Sequence, residues 1–437
     1  MTNKPQSIQL GELERAAELA TNRGRTDEAR RLWQQVLQLN SLHPRGLGFM
    51  AQLALMEGRV PEARAMLEQA VEAAPKDAVL WLLLARAYRD LGNDSLRLHA
   101  LERALVADPY CYPAMLEKAA LLEQNGRKRF AAKLFGEALK LTPPDDALPR
   151  DLSELASRAR AAVAENAGEL DLYLRAQLKD AAVAHLSPRV EECLGIATGN
   201  RRIFNQEASV LLVPWLPAIP FYDRSLFPWL AELEAATDAI REEYLAAARE
   251  LGSSFKPYVS HPEGAPVGSW AELNHSPRWN SLHLWKSHER FDEICRRCPR
   301  TVGAVTKLPQ ITIENFAPTV LFSVLAPHTR IPAHSSVSNC RLVVHLPLII
   351  PGKCAFRVGN ITREWKEGES WVFDDTINHE AWNDSDDYRV ILMIDIWNPL
   401  LTEQEKRLIP VILNGRNAYY AAEEARVRTN LASGARP

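Results

Sequence analysis

Cysteine is scarce in this sequence: six in 437 residues. They stand far apart, at Cys111, Cys193, Cys295, Cys298, Cys340 and Cys354. No dense disulfide framework is expected, and the thiols suit a reducing compartment. The single C-x-x-C, Cys295 and Cys298, has no second pair and no suitably spaced histidines nearby, so it reads as structural or incidental. A basic surplus is missing too. Lys and Arg number 52 against 55 Asp and Glu, a formal net charge of −3, which argues against a nucleic-acid partner. No run is long and apolar enough to span a bilayer, so no membrane partner is expected. The opening MTNKPQSIQL has no apolar signal core, and a cytoplasmic location is expected. What is present is ordinary: 46% hydrophobic and 24% charged residues, enough for two or three packed domains.

The N-terminal third repeats. Gly24, Gly58, Gly92 and Gly126 are each 34 residues apart. Ala17, Ala51, Ala85 and Ala119 keep the same period. So do the large apolar residues Trp33, Leu67, Leu101 and Phe135. A second small set, Ala29, Ala63 and Ala131, is broken by Arg97, and Pro75, Pro109 and Pro143 close three repeats. These positions describe a helical hairpin used four times. Alanines let two helices approach closely, the large residue fills the gap between them, and proline ends the second helix. One hairpin cannot bury its apolar face alone, whereas stacked hairpins can. The pattern resembles tetratricopeptide repeats and is expected over residues 10–145, after a polar tail at 1–9. Such a solenoid either binds a peptide or protein partner or serves only as a packing module. Residues 146–204 keep helical periodicity and are expected to cap the solenoid.

Beyond residue 204 the composition changes to Pro, Trp, Phe and Tyr. Between 319 and 397 lie short runs rich in β-branched and aromatic residues: TVLFSVL, CRLVVHLPLII, CAFRVG, ITREW, SWVF and YRVILMIDIW. Turn-formers separate them. Many short strands at this spacing suggest a sandwich or barrel within residues 205–400, a jelly roll being one way to close it, followed by a helical segment at 401–437. Two histidines sit in polar stretches between these runs, His334 and His379, which are 45 residues apart. Arg389 follows ten residues later. In one group of jelly-roll oxygenases this order recurs for a mechanical reason. Two imidazoles hold divalent iron, and a guanidinium grips the far carboxylate of 2-oxoglutarate bidentately.

The wording around these residues is denser than the spacing alone. NCRLVVHLPLIIPG, W-x-x-G-x-x-x-x-FDD-x-x-x-HEAWN-x-S and R-x-x-L-x-x-D-x-W-x-P occur in that order. Together they resemble the aspartyl/asparaginyl β-hydroxylase family, densely over 323–400 and more weakly over 210–322. The resemblance implies a double-stranded β-helix (jelly-roll) oxygenase domain after the solenoid, an Fe(II)- and 2-oxoglutarate-dependent dioxygenase that uses O₂ to hydroxylate a C–H bond. The expected target is the β-carbon of an Asp or Asn residue in a polypeptide brought in by the repeats. A free amino acid or a lipid-linked acyl group is the alternative. By the same resemblance, His334 and His379 match the iron ligands, and Ser323 and Arg389 the residues at the distal carboxylate of 2-oxoglutarate. His345 matches a residue near its proximal carboxylate. Arg341 matches a position facing a substrate carboxylate, although an internal ion pair would equally explain an arginine there.

Departures from common patterns are specific. The carboxylate that often follows the first histidine by two residues is Ser336 here, and the family resembled lacks it too. The arginine often found two residues before the histidine of the H-L pair is Val343. That change favours a rival in which a degenerate hydroxylase domain rides on a non-catalytic scaffold. A cupin-like protein with metal but no 2-oxoglutarate is a further rival. Asp374 and Asp375 are read as turn residues and as partners for the second ring nitrogen of a ligating histidine.

Overall fold

The structure is a computed structural model that describes residues 4–179 and 186–432. Residues 1–3 of the expected tail, 180–185 of the expected cap and 433–437 of the last segment lie outside them. The chain divides into two compact units, Met1–Arg201 and Arg202–Pro437.

The first unit is four helical hairpins. They are α1 (Lys4–Asn22) with α2 (Thr26–Leu39), α3 (Pro44–Met56) with α4 (Val60–Ala73), α5 (Ala78–Asp90) with α6 (Asp94–Ala107), and α7 (Tyr112–Gln124) with α8 (Lys128–Leu141). The first helix begins inside the stretch expected to be a polar tail. Pro5 does not prevent this, because the first turn of a helix needs no intrahelical N–H donor. Each repeat glycine lies between the two helices of its hairpin with φ of 68° to 76°. A Cβ there would meet nothing within 4 Å, so the left-handed backbone, not crowding, calls for glycine. Ala17, Ala51, Ala85 and Ala119 are fully buried, as are Leu67, Leu101 and Phe135. These are the close approaches and plugs that the 34-residue period encodes. Two further helices follow, α9 (Arg150–Lys179) and α10 (Pro188–Thr198).

Arg97 takes the place held by alanine in the other repeats. It is only 6% exposed, and its Nε has no partner. No ion pair or hydrogen bond reaches its guanidinium among the described residues.

The second unit is built on two antiparallel sheets. Its strands are β1 (Lys256–Pro257), β2 (Trp279–Lys286), β3 (Glu289–Arg290), β4 (Val320–Leu325), β5 (Thr329–His334), β6 (Arg341–Ile349), β7 (Cys354–Val358), β8 (Ile361–Glu364), β9 (Trp371–Phe373), β10 (His379–Asn383) and β11 (Arg389–Trp397). One sheet runs β1-β2-β4-β11-β6-β9, with β3 paired to β2; the other runs β5-β10-β7-β8. From β4 onward the chain passes repeatedly between the two sheets. The helices α11 (Leu230–Ala235), α12 (Thr237–Glu250), α13 (Asp292–Arg297) and α14 (Pro299–Val305) also belong to this unit, and α15 (Glu403–Ala432) ends it. Cys295 and Cys298 are buried free thiols in and just after α13.

The larger sheet is covered on both faces. Along β6, Leu342, Val344, Leu346 and Leu348 pack in one core with Leu230, Leu233, Ile240 and Tyr244 of α11 and α12. Val390, Leu392, Ile394 and Ile396 of β11 join them. The intervening residues point the other way, between the sheets. There Val343 and Ile391 share a second core with Ile331, Phe356 and Ala381 from the smaller sheet.

Replacing Arg97 with Met keeps the aliphatic stem and removes a buried charge that feels the Glu117 carboxylate but makes no hydrogen bond or close ion pair among the described residues. Arg97→Met should raise the unfolding free energy of the repeat unit by about 1–3 kcal/mol. A fall in the urea midpoint would show that the guanidinium is stabilised in place.

Candidate active site

Alternation along three neighbouring strands sends polar groups into one cavity of about 300 Å³. From β4 come Leu321 and Ser323; from β6, Arg341, Val343 and His345; from β11, Arg389, Ile391, Met393 and Asp395. The smaller sheet supplies Ile331, His334, Phe356, His379 and Ala381 to the same space. All six residues singled out in the sequence therefore meet in one cavity.

The two histidines end and begin strands. The sequence reading leaves both in loops, but His334 closes β5, His379 opens β10, and the two are cross-strand partners. Pro332 in β5 and the lack of β-branched residues in HEAWN conceal these strands from propensity. Their ring centroids are 4.1 Å apart. His334 Nδ1 lies 2.7 Å from the Pro332 carbonyl oxygen, and His379 Nδ1 lies 3.0 Å from that of Ile377. A carbonyl only accepts, so each Nδ1 carries the proton and each Nε2 keeps its lone pair. Burial holds both imidazoles below their usual pKa, which leaves them neutral at neutral pH.

Backbone carbonyls, not the neighbouring aspartates, thus fix the two rings. Asp374 instead ties the turn before His379. It accepts from Thr376 N at 2.9 Å, Thr376 Oγ1 at 2.6 Å and Gln206 Nε2 at 2.6 Å. Asp375 pairs with Arg341.

Arg389 is 1% exposed and has no carboxylate partner among the described residues. Among them Ser323 Oγ is its one side-chain hydrogen-bond acceptor, at 3.5 Å, and its guanidinium stands 5.0 Å from the Trp365 ring. Burial pushes its pKa down to about 10. Ser323 Oγ also accepts from Trp279 Nε1 at 3.0 Å, which leaves its own O–H free to donate. His345, 3% exposed, has no partner at either nitrogen. Burial first, then the nearby Arg389 charge, holds its pKa well below the usual value.

Thirteen buried side-chain polar atoms lack a hydrogen-bond partner among the described residues, and five belong to this cavity: both His345 nitrogens, Arg389 Nε, Trp365 Nε1 and Asp375 Oδ1. Such atoms cost about 1–3 kcal/mol each when left unpaired. Their concentration in one space makes it the candidate ligand site. Sequence reasoning missed Trp279 and Trp365 as wall residues. Trp365 opens the W-x-x-G motif, which was the available signal.

Residues 234–399 match the family model described as aspartyl/asparaginyl beta-hydroxylase. Over these residues the chain is similar to the aspartyl/asparaginyl β-hydroxylase family. Residues 20–87 match the model for a tetratricopeptide repeat. Human aspartyl/asparaginyl beta-hydroxylase is 32% identical over 181 residues, which is 41% of this chain and 22% of that protein. The ornithine lipid ester-linked acyl 2-hydroxylase of Rhizobium tropici is 35% identical over 188 residues, 41% of this chain and 61% of that protein. The chain thus matches less than two thirds of the length of either relative. Among solved structures, MamA (41-end) from Desulfovibrio magneticus RS-1 is 23% identical with a TM-score of 0.27, covering 30% of this chain and 75% of that one. No helix among the described residues is long and apolar enough to cross a membrane.

The turn that aims His379 depends on one carboxylate. Asp374→Ala leaves the two buried Thr376 donors without an acceptor, at about 1–3 kcal/mol each, and leaves Gln206 Nε2 only the Pro217 carbonyl. A marked loss in the denaturant midpoint is expected, together with faster amide exchange at Thr376. An unchanged midpoint would mean that other groups hold the turn.

Proposed function

We propose that the C-terminal unit is an Fe(II)- and 2-oxoglutarate-dependent hydroxylase. The observation that carries the reading is Arg389: a fully buried guanidinium, without a carboxylate partner, lining the same cavity as two neutral imidazoles. The donor set fits iron(II). Imidazole nitrogen suits that ion, and both Nε2 lone pairs are left free by the backbone bonds at Nδ1. Among the described residues no group of three or more His, Cys, Asp or Glu side chains could hold a metal. His334 and His379 would therefore be the protein's whole contribution, and Ser336 stands where a carboxylate is common.

The fit to 2-oxoglutarate rests on the orphaned groups. Arg389 would take the distal carboxylate bidentately, with the Ser323 hydroxyl donating to the same group. His345 would face the proximal end. When bound, iron and 2-oxoglutarate supply the oxidising chemistry, with O₂ consumed and succinate and CO₂ released. The chain's own part is to hold the oxoacid by its carboxylate, keep both imidazoles in one tautomer and exclude water with Phe356, Phe373 and Trp365. The relatives' names support an oxidised carbon either on an Asp or Asn residue or on a lipid ester-linked acyl chain. The repeats support recruitment of a peptide or protein.

The non-catalytic scaffold reading has one observation in its favour. Val343, where an arginine is common, is 2% exposed and packed in the inter-sheet core, so no cation stands at that point. Metal and cosubstrate binding separate the two readings. His334→Ala or His379→Ala should abolish most binding of iron(II), measured by metal content after anaerobic loading. Arg389→Ala should retain the metal and weaken 2-oxoglutarate binding by about ten- to a hundredfold, the worth of a charge-assisted hydrogen bond. Arg389→Lys should recover only part of this, since lysine lacks the planar fork. Equal 2-oxoglutarate affinity in parent and Arg389→Ala would remove the cosubstrate assignment. Mass spectrometry of extracts incubated with enzyme, Fe(II) and 2-oxoglutarate should find a product heavier by one oxygen.

A further inference from the structure

Two buried tryptophans line the cavity, and their ring N–H groups fare differently. Trp279 Nε1 donates to Ser323 Oγ at 3.0 Å. Trp365, 4% exposed, has no acceptor for Nε1 among the described residues. It directly follows β8, which places it in the smaller sheet's half of the site. The Arg389 guanidinium stands 5.0 Å from its ring, and the His345 ring centroid lies 6.1 Å from its own. Phe356 and Trp371 stack against it, with centroids 5.6 Å and 5.7 Å away. Close packing on several sides fixes the ring, so its N–H cannot turn elsewhere to find a partner.

The orphaned groups of the cavity segregate by type. Arg341 donates to Asp395 Oδ1 at 2.7 Å and to Asp375 Oδ2 and Ser336 Oγ at 2.8 Å. The one orphaned carboxylate oxygen, Asp375 Oδ1, belongs to that cluster. Asp395 and Arg389 are six residues apart on β11, roughly 20 Å along a strand, so the cluster is remote from Arg389. Around Arg389 the balance is reversed. Arg389 Nε, Trp365 Nε1 and the Ser323 O–H are donors, and Ser323 Oγ is the one side-chain acceptor that Arg389 reaches. An ionised carboxylate is the complement of such a set. It only accepts, through two oxygens with about four lone-pair sites. The planar fork of Arg389 fills two of them, and the Ser323 hydroxyl fills a third. With His345 read as facing the proximal end, the Trp365 N–H is the donor left for the fourth.

We propose that Trp365 Nε1 donates the fourth hydrogen bond to the distal carboxylate of the cosubstrate, beside Arg389 and Ser323. The proposal rests on the 2-oxoglutarate reading of the cavity and adds a recognition residue to it. Val343 gives that residue its weight in this chain. No cation stands at position 343, so the distal end carries a larger share of cosubstrate affinity, and each donor there counts for more.

Anaerobic equilibrium dialysis of the full-length, iron(II)-loaded protein tests this with two ligands, 2-oxoglutarate and 2-oxopentanoate. The second is the same oxoacid with a methyl group in place of the distal carboxylate. Trp365→Phe keeps an aromatic ring and removes the N–H. It should weaken 2-oxoglutarate binding about tenfold, the strength of a hydrogen bond to a charged group, and leave 2-oxopentanoate binding unchanged. Trp371→Phe removes another buried, unpartnered N–H, one outside the cavity lining, and should change neither. Unchanged 2-oxoglutarate affinity in Trp365→Phe would overturn the proposal, and a loss in Arg389→Met would then show that the cosubstrate reading survives it. Equal weakening of both ligands would overturn it too, because Trp365 would then only shape the cavity. The same selective loss in Trp371→Phe would trace the effect to the aromatic stack and not to the N–H. A parent that does not prefer 2-oxoglutarate over 2-oxopentanoate would remove the distal-carboxylate reading and the proposal with it. A measurement on the parent stands even where the variant fails to fold. In the zinc(II)-loaded protein, 2-oxoglutarate should move an indole N–H resonance downfield that 2-oxopentanoate leaves in place, and that resonance should be absent from folded Trp365→Phe. No indole resonance that answers to 2-oxoglutarate alone would overturn the proposal.

Discussion

Strict alternation along a sheet covered on both faces is the constraint from which the site follows. Residues 342, 344, 346 and 348 of β6 face α11 and α12, and residues 341, 343 and 345 face the smaller sheet. A slip of one residue would push Arg341 and His345 into an apolar core and turn four aliphatic side chains into the cavity. The cost of burying a charge in that core fixes the register. Strand β11 obeys the same rule, with Arg389 and Asp395 on the cavity side and Val390, Leu392, Ile394 and Ile396 on the other. The polar residues of these two strands therefore help to specify the sheet as well as to equip the site.

The smaller sheet sets the histidines by a different means. Cross-strand pairing of His334 with His379 brings two rings together at the sheet's end. Each Nδ1 then bonds to the carbonyl two residues earlier. Neither bond uses a side chain, so the tautomer is fixed by backbone geometry alone. Asp374, free of that task, anchors the turn, and Asp375 is free to pair with Arg341.

How much the sequence disclosed depends on how local each signal is. The repeat needed only a period: the glycines carry a backbone requirement and the alanines a packing one, and both recur every 34 residues. Strands β4, β6 and β11 were readable because their β-branched runs are long. Strands β5 and β10 were not, since TRIPAH contains proline and HEAWN has no β-branched residue. Their strand character comes from pairing with each other and with β7, a tertiary effect that propensity does not contain. The same holds for Arg341. Its place on the cavity face follows from alternation, but its compensation requires Asp375 and Asp395, which lie 34 and 54 residues away.

Three arginines among the described residues show why burial alone does not define a binding site. Arg341 is nearly buried and paired, with two carboxylates within hydrogen-bond distance. Arg97 is buried without a hydrogen bond or close ion pair, and it does not line the three cavities of the repeat unit at Arg129–Gly199, Ala74–Asp108 and Glu18–Leu83. Arg389 is buried, uncompensated and open to a cavity of about 300 Å³. Only there can an exogenous anion relieve the desolvated charge, and a charge-assisted bond formed in that setting is worth about 1.5–3 kcal/mol. An unpaired buried cation marks a ligand site when space adjoins it. Without such space it marks a local cost, which the rest of the repeat carries through the packing of its alanines and leucines.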